Sequence, residues 1–140
     1  MYKRQIIHGD NTFSNTIADE NSKIWFIDPR GVFGSTPIYG DRRYDYAKLY
    51  YSAYGNYDSI NSKEYRIKLD KRNVDLEIKS NGYEKYADLI IERSGVPKVE
   101  LQLIHACIWF ALTGYVKEDY DAVLFSFYKG CQLWTEAVSD

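Results

Sequence analysis

The chain has 140 residues, 45% of them hydrophobic and 27% charged, with a formal net charge of −2 and a pI near 5.7. This length suits one domain, and this apolar fraction can build a core, which excludes disorder over most of the chain. The acidic balance excludes the broad basic footprint of a non-specific nucleic-acid binder. The most apolar run, "LIHACIWFALTG", is too short to cross a membrane.

In chain order, "KRQIIHGD" reads as a short strand running into a loop. "NTIAD" and "KIWFID" flank the polar cluster "ENS" and predict a β-hairpin. "PRGVFGSTPIYG" is a loop punctuated by Gly and Pro. Asp41 is the expected N-cap of the helix "RRYDYAKLYYSAYG", with Ala47, Tyr50, Tyr51 and Tyr54 on one face and Gly55 as its stop. "NYDSINS" reads as a loop. In "EYRIKLDKRNVDLEIK", Tyr65, Ile67 and Leu69 alternate with polar residues and are matched by Val74, Leu76 and Ile78, a second hairpin. Three helices follow. Asn81 caps the first, whose apolar face holds Tyr83, Tyr86, Ala87, Ile90 and Ile91, and Gly95 ends it. Pro97 opens the second, near residues 97–114, which is apolar on nearly every side and predicts the central core helix. The third runs from Asp119 to Val138, with Tyr120, Leu124, Phe127, Cys131, Trp134 and Val138 in helical register. His105 reads as a satisfied core histidine, and Cys107 and Cys131 as buried reduced thiols. "MYKRQIIHGD" has no apolar secretory segment, so the expected location is cytoplasmic. No repeat or linker divides the chain. The expectation is one α+β domain, mostly helical with two small hairpins, over residues 1–140.

The chemistry concentrates in residues 6–31, followed by a largely helical remainder over residues 41–138. His8, Asp10 and Asn15 fit the pattern H-x-D-x-x-x-x-N, and Asp28 follows the apolar strand "IWFI". Phosphoryl transfer needs a carboxylate to orient the attacking hydroxyl and accept its proton, a role that suits Asp10. It also needs hard oxygen ligands for Mg²⁺, and Asn15 and Asp28 supply one neutral and one anionic oxygen. Singly, these residues are ordinary loop chemistry, since Asp and Asn favour turns by bonding their own backbone. Their order and spacing together favour a site.

These motifs resemble the catalytic core of the aminoglycoside phosphotransferase and choline kinase group, which has a protein-kinase-like fold. The continuation "IDPRGVFG…IYGDRRYDYAKLYYSAYG" is similar to phosphotransferases of capsule or surface-polysaccharide biosynthesis. The resemblance covers residues 6–55 in its motifs and the remainder only as a helical C-terminal lobe. It implies that Asp10 is the catalytic base and that Asn15 and Asp28 are metal ligands. It implies that His8 supports the loop by packing and hydrogen bonding. It implies that Asp45 accepts hydrogen bonds from the loop backbone, a role compatible with a first-turn acid favoured by the helix dipole. Arg30 meets a phosphate or a substrate anion, or pairs with a nearby acid. Pro29 stands where an aromatic residue often follows the metal-binding Asp.

The implied activity is transfer of the γ-phosphate of ATP or GTP, with Mg²⁺, to a hydroxyl of a small molecule such as a sugar or polyol. No Gly-rich phosphate loop and no Lys-bearing strand precede His8, so the expectation is a C-terminal lobe whose N-terminal lobe comes from a longer chain or a partner. A homodimer is a further expected state, because a missing lobe leaves apolar surface uncovered. The alternative is a non-catalytic lobe that binds a partner in a regulatory role. A carbohydrate-binding module built on the 14 tyrosines is a third reading, and it needs no metal.

Overall fold

The computed structural model describes residues 5–139. Lys3 and Arg4 of the predicted opening strand lie outside the described residues. Strand β1 (Gln5–Ile6) enters a loop that ends in one 3-10 turn at Phe13–Asn15. β2 (Thr16–Ala18) and β3 (Ile24–Phe26) form the predicted hairpin, with Thr16 opposite Phe26 and Ala18 opposite Ile24. The stretch read as a loop holds three two-residue strands: β4 (Val32–Phe33), β5 (Thr36–Pro37) and β6 (Tyr39–Gly40). β4 pairs with β5, and β6 returns to pair with β1. Strands of two residues are too short to show an alternation, which is why the sequence reads there only as punctuation.

Helix α1 (Arg42–Ala53) starts as expected, with the Asp41 carboxylate accepting from Arg43 N. Gly55 does not supply the left-handed stop; Asn56 does, at φ 58°. Gly55 is needed for a different reason. A Cβ there would lie 2.5 Å from the Tyr51 carbonyl oxygen and 2.6 Å from His105 Nε2. α2 (Asp58–Asn61) is a single turn inside the predicted loop. β7 (Tyr65–Leu69) and β8 (Val74–Ile78) pair as expected, with Tyr65, Ile67 and Leu69 opposite Ile78, Leu76 and Val74.

α3 (Ala87–Ser94) follows a short 3-10 turn and ends at a left-handed Gly95. Asn81 is not its N-cap: that position is Tyr86, with no side-chain cap bond, and the Asn81 side-chain oxygen instead accepts from Tyr83 N at 2.8 Å in the preceding turn. α4 (Lys98–Leu112) is the central helix, packed between α1 and α5 (Tyr120–Ser139). Leu101, Ala106 and Trp109 of α4 meet Tyr50 and Tyr51 of α1 and Phe125 of α5 in a fully buried core. The Tyr51 and Trp109 rings pack edge to face at 4.9 Å.

Helix α5 forms over the predicted stretch, but the apolar residues in register are not its buried face. Its buried face is Ala122, Phe125, Ser126, Gly130, Leu133 and Ala137, whereas Tyr120, Phe127, Trp134 and Val138 are exposed. Small side chains let α5 approach α4 closely, to the point that a Cβ on Gly130 would lie 2.7 Å from the Phe110 ring. Packing by size has overridden packing by hydrophobicity, and the aromatic stripe faces outward. The thiols differ too: Cys107 is exposed and Cys131 half-buried, because both fall beside the buried faces of their helices.

His105 is buried as expected, and its Nε2 accepts from Trp109 Nε1 at 3.0 Å. Burial, aided by the Lys129 charge, pushes its pKa from 6.5 down to about 3. The unfolded chain therefore binds more protons between these two values. Stability should be intact above about pH 6.5 and fall as the pH drops towards 3, by up to roughly 1.4 kcal/mol per pH unit from this group. Urea titrations of wild type and His105→Gln between pH 7.5 and 4.5 check this. The stability gap between the two should narrow as the pH falls, and parallel profiles would contradict it.

Candidate active site

The loop 8–15 lies against one side of α1, and the helical period explains how. Asp45 and Ser52, seven residues apart, fall on one stripe of the helix. Asp45 accepts from His8 N at 2.9 Å and from Gly9 N at 2.8 Å, and Ser52 Oγ accepts from Phe13 N at 3.1 Å. Asn11 Nδ2 donates to the Asp45 carbonyl, and Ser14 N to Asp58 Oδ1. Both ends of the loop are thereby pinned to helical side chains. Gly9 sits at φ 77°, and a Cβ there would come within 3.0 Å of Arg30 Cβ. Only glycine combines that backbone with that close approach.

His8 joins the loop to the first hairpin. Its Nδ1 accepts from Asp10 N at 3.2 Å, which leaves Nε2 as the protonated nitrogen donating to the Ile27 carbonyl at 3.0 Å. The ring thus fixes Asp10 relative to the end of β3 and the following Asp28. Asp28 itself takes φ 55°. A residue before proline seldom adopts that conformation, so the backbone there is held by its surroundings at a cost of order 1–3 kcal/mol. Arg30 N donates to the His8 carbonyl at 2.9 Å and closes the junction.

Asp10, Asp28 and Arg30 share a cleft of about 310 Å³ between this junction, α1 and the end of α4. Asn15 does not line the cleft but orients Asp10. Its Nδ2 donates to the Asp10 carbonyl at 2.8 Å and to Oδ2 at 3.0 Å, and its Oδ1 takes part in neither bond. All six residues singled out in the sequence therefore meet at one junction: Asp10, Asp28 and Arg30 on the cleft, and His8, Asn15 and Asp45 behind it.

Sequence reasoning missed Lys48. Its Nζ lies 2.8 Å from Asp10 Oδ1, with the side chain only 13% exposed. It stands 5.1 Å from the centre of the Tyr51 ring. With Tyr44 and Tyr51 it forms an i, i+4, i+7 stripe on α1 that lines the cleft. That stripe, one residue out of phase with Asp45 and Ser52, was the available signal. Burial raises the pKa values of Tyr44, Tyr51 and Tyr57, so the cleft's phenols stay protonated and can donate.

The donor set suits a small hard cation. Asp28, Asp10 and the Asn15 amide oxygen are hard ligands, and Mg²⁺ is commonly held by one or two carboxylates together with substrate phosphates. Among the described residues no cluster of three or more His, Cys, Asp or Glu side chains forms a self-sufficient metal cage. No described helix is long and apolar enough to cross a membrane. Compared with known proteins, the chain matches no protein-family model, no curated protein and no solved structure.

Proposed function

We propose that the chain is a kinase-like C-terminal lobe that transfers the γ-phosphate of ATP or GTP to a hydroxyl of a small molecule. The observation that supports this best is the junction of Asp10, Asn15 and Asp28, with Asp10 oriented by Asn15 and paired with Lys48. Asp10 receives the acceptor's hydroxyl proton as its oxygen bonds to the γ-phosphorus. The bond from that phosphorus to the β–γ bridging oxygen breaks, and its electron pair leaves with the nucleoside diphosphate. Lys48 pairs with Asp10 and places a positive charge beside the transferring group. Asp28, on the cleft, would hold Mg²⁺, which when bound neutralises the nucleotide phosphates, and Asn15, behind the cleft, would join it only by turning its Oδ1 towards the ion. A sugar or polyol of a surface polysaccharide is the proposed acceptor, on resemblance.

Calorimetry with Mg²⁺ and ATP or GTP tests the metal assignment. Binding should require Mg²⁺ in wild type and weaken at least tenfold in Asp28→Ala, since a charged ligand is worth about 1.5–3 kcal/mol. Identical Mg²⁺-dependent binding in both proteins would remove Asp28 from the site.

A companion lobe or a second copy is the proposed partner. It would cover the first hairpin, where Ile24 and Phe26 on one face and Ile17 and Trp25 on the other are all exposed. Light scattering should show association that Phe26→Asp weakens. A clean monomer at high concentration, with no partner needed for turnover, would contradict this.

A further inference from the structure

Arg30 does not pair with an acid. Among the described residues, no carboxylate lies within ion-pair distance of it. Its Nη1 instead donates to Tyr44 Oη and its Nη2 to Tyr115 Oη, both at 3.1 Å. Tyr44 comes from α1 and Tyr115 from the turn after α4, 85 residues from Arg30 in sequence. Three parts of the chain therefore converge to present one guanidinium at the cleft.

The hydrogen-bond inventory makes this a donor cradle. A guanidinium carries five N–H groups, and two are used here. Each phenol oxygen accepts from Arg30, which leaves its own O–H free to donate. Burial holds the proton on Tyr44, which keeps it a donor. A cluster that offers several donors around a fixed cation, and no carboxylate within reach of that cation, suits a planar or tetrahedral oxyanion.

The cleft's charge balance points the same way. Its charged lining consists of Asp10, Asp28, Lys48 and Arg30. Lys48 neutralises Asp10 at 2.8 Å. That leaves Asp28 and Arg30, which are not within ion-pair distance of each other, and a divalent cation on Asp28 would make the lining positive overall, in favour of an anionic ligand. A second, independent feature lies deeper. Tyr51 is 1% exposed and lines the cleft, yet its hydroxyl has no hydrogen-bond partner among the described residues. A buried hydroxyl without a partner is unusual, and it suits contact with a ligand hydroxyl near Asp10.

We infer that the acceptor is an anionic polyol: a hydroxylated compound whose carboxylate or phosphate is gripped by Arg30 between Tyr44 and Tyr115, while a hydroxyl reaches Tyr51 and Asp10. This rests on the phosphotransfer reading for the role of Asp10, but the grip on the anion stands on its own geometry.

The test uses three ligands with one sugar ring and different groups at C6: glucose 6-phosphate, glucuronate and glucose. Binding is measured by calorimetry on the full chain, on Arg30→Gln, and on Tyr115→Phe. Wild type should bind one or both anionic sugars roughly tenfold to a hundredfold more tightly than glucose, the span of one charge-assisted contact. Which of the two is preferred separates a phosphate source from a carboxylate source. Arg30→Gln should abolish the preference, and Tyr115→Phe should reduce it severalfold. Circular dichroism confirms that each variant is folded. Equal binding of all three sugars by wild type, or an unchanged preference in Arg30→Gln, overturns the proposal. Mg²⁺-nucleotide affinity is measured in parallel. If Arg30→Gln weakens nucleotide binding and leaves the sugar preference intact, Arg30 grips the donor and the proposal fails while the phosphotransfer reading survives. If Mg²⁺-nucleotide binding is absent from wild type even with the companion lobe supplied, but the Arg30-dependent preference is present, the anion grip stands and the phosphotransfer reading fails.

Discussion

Asp10→Asn is expected to lower phosphoryl transfer by roughly 10²–10⁴-fold, the usual contribution of a positioned general base. Asparagine preserves the shape of the side chain, but it cannot accept the hydroxyl proton, and its NH₂ must face one of the two donors, Asn15 Nδ2 or Lys48 Nζ. The substitution also leaves the Lys48 ammonium, only 13% exposed, without its carboxylate. Breaking one side of such a pair is more damaging than removing both. Stability should therefore fall in Asp10→Asn and recover at least partly in the Asp10→Asn, Lys48→Met double variant, while activity stays low in both. Denaturant midpoints and initial rates for the four proteins of this cycle separate the two effects. Wild-type turnover in Asp10→Asn would remove Asp10 from the chemistry. Additive stability losses would show that Lys48 and Asp10 are not coupled.

Asp45→Ala should be the most destabilising change at the site, by roughly 2–4 kcal/mol. The carboxylate accepts two backbone N–H groups, from His8 and Gly9, at 2.9 and 2.8 Å. Both donors lie in a part-buried environment, where a lost partner is not fully replaced by water. Asp45→Asn keeps one oxygen acceptor and turns an NH₂ towards the other donor, so it should recover only part of the loss. Urea denaturation measures both variants. Hydrogen exchange at His8 and Gly9 locates the effect, because loop opening should speed exchange there before it does so in α4. A loss under about 0.5 kcal/mol would mean that Ser52, Asp58 and the Asn11 bond to the Asp45 carbonyl hold the loop without the Asp45 carboxylate.

Much of this site was legible because its signals are local. The interval from His8 to Asn15 spans eight positions of one loop, and Asp28 ends a strand whose hairpin partner is ten residues earlier or less. Asp41 as a cap, and the alternation from Tyr65 to Ile78, likewise express their structure over a few neighbouring residues. The failures have a common cause in tertiary packing. Lys48 in mid-helix has the composition of a solvated face, and only the position of Asp10 shows that it is a partner. Tyr115 reaches Arg30 from 85 residues away, which no periodicity can announce. On α5 the most hydrophobic residues share one stripe, but the closeness of α4 selects Ala122, Ser126, Gly130 and Ala137 for the buried face. Gly55 was read as a helix stop because that is the commonest use of glycine there, when its actual constraint is the proximity of His105 and the Tyr51 carbonyl.

The most direct test of phosphotransfer is ³¹P NMR of the chain with Mg²⁺, ATP or GTP and a hydroxyl acceptor, supplied with its companion lobe where association requires one. The expected result is a new phosphate monoester appearing in equal amount with nucleoside diphosphate, dependent on Mg²⁺ and lost in Asp10→Asn. Release of inorganic phosphate alone, or monoester formation that persists undiminished in Asp10→Asn, would contradict it.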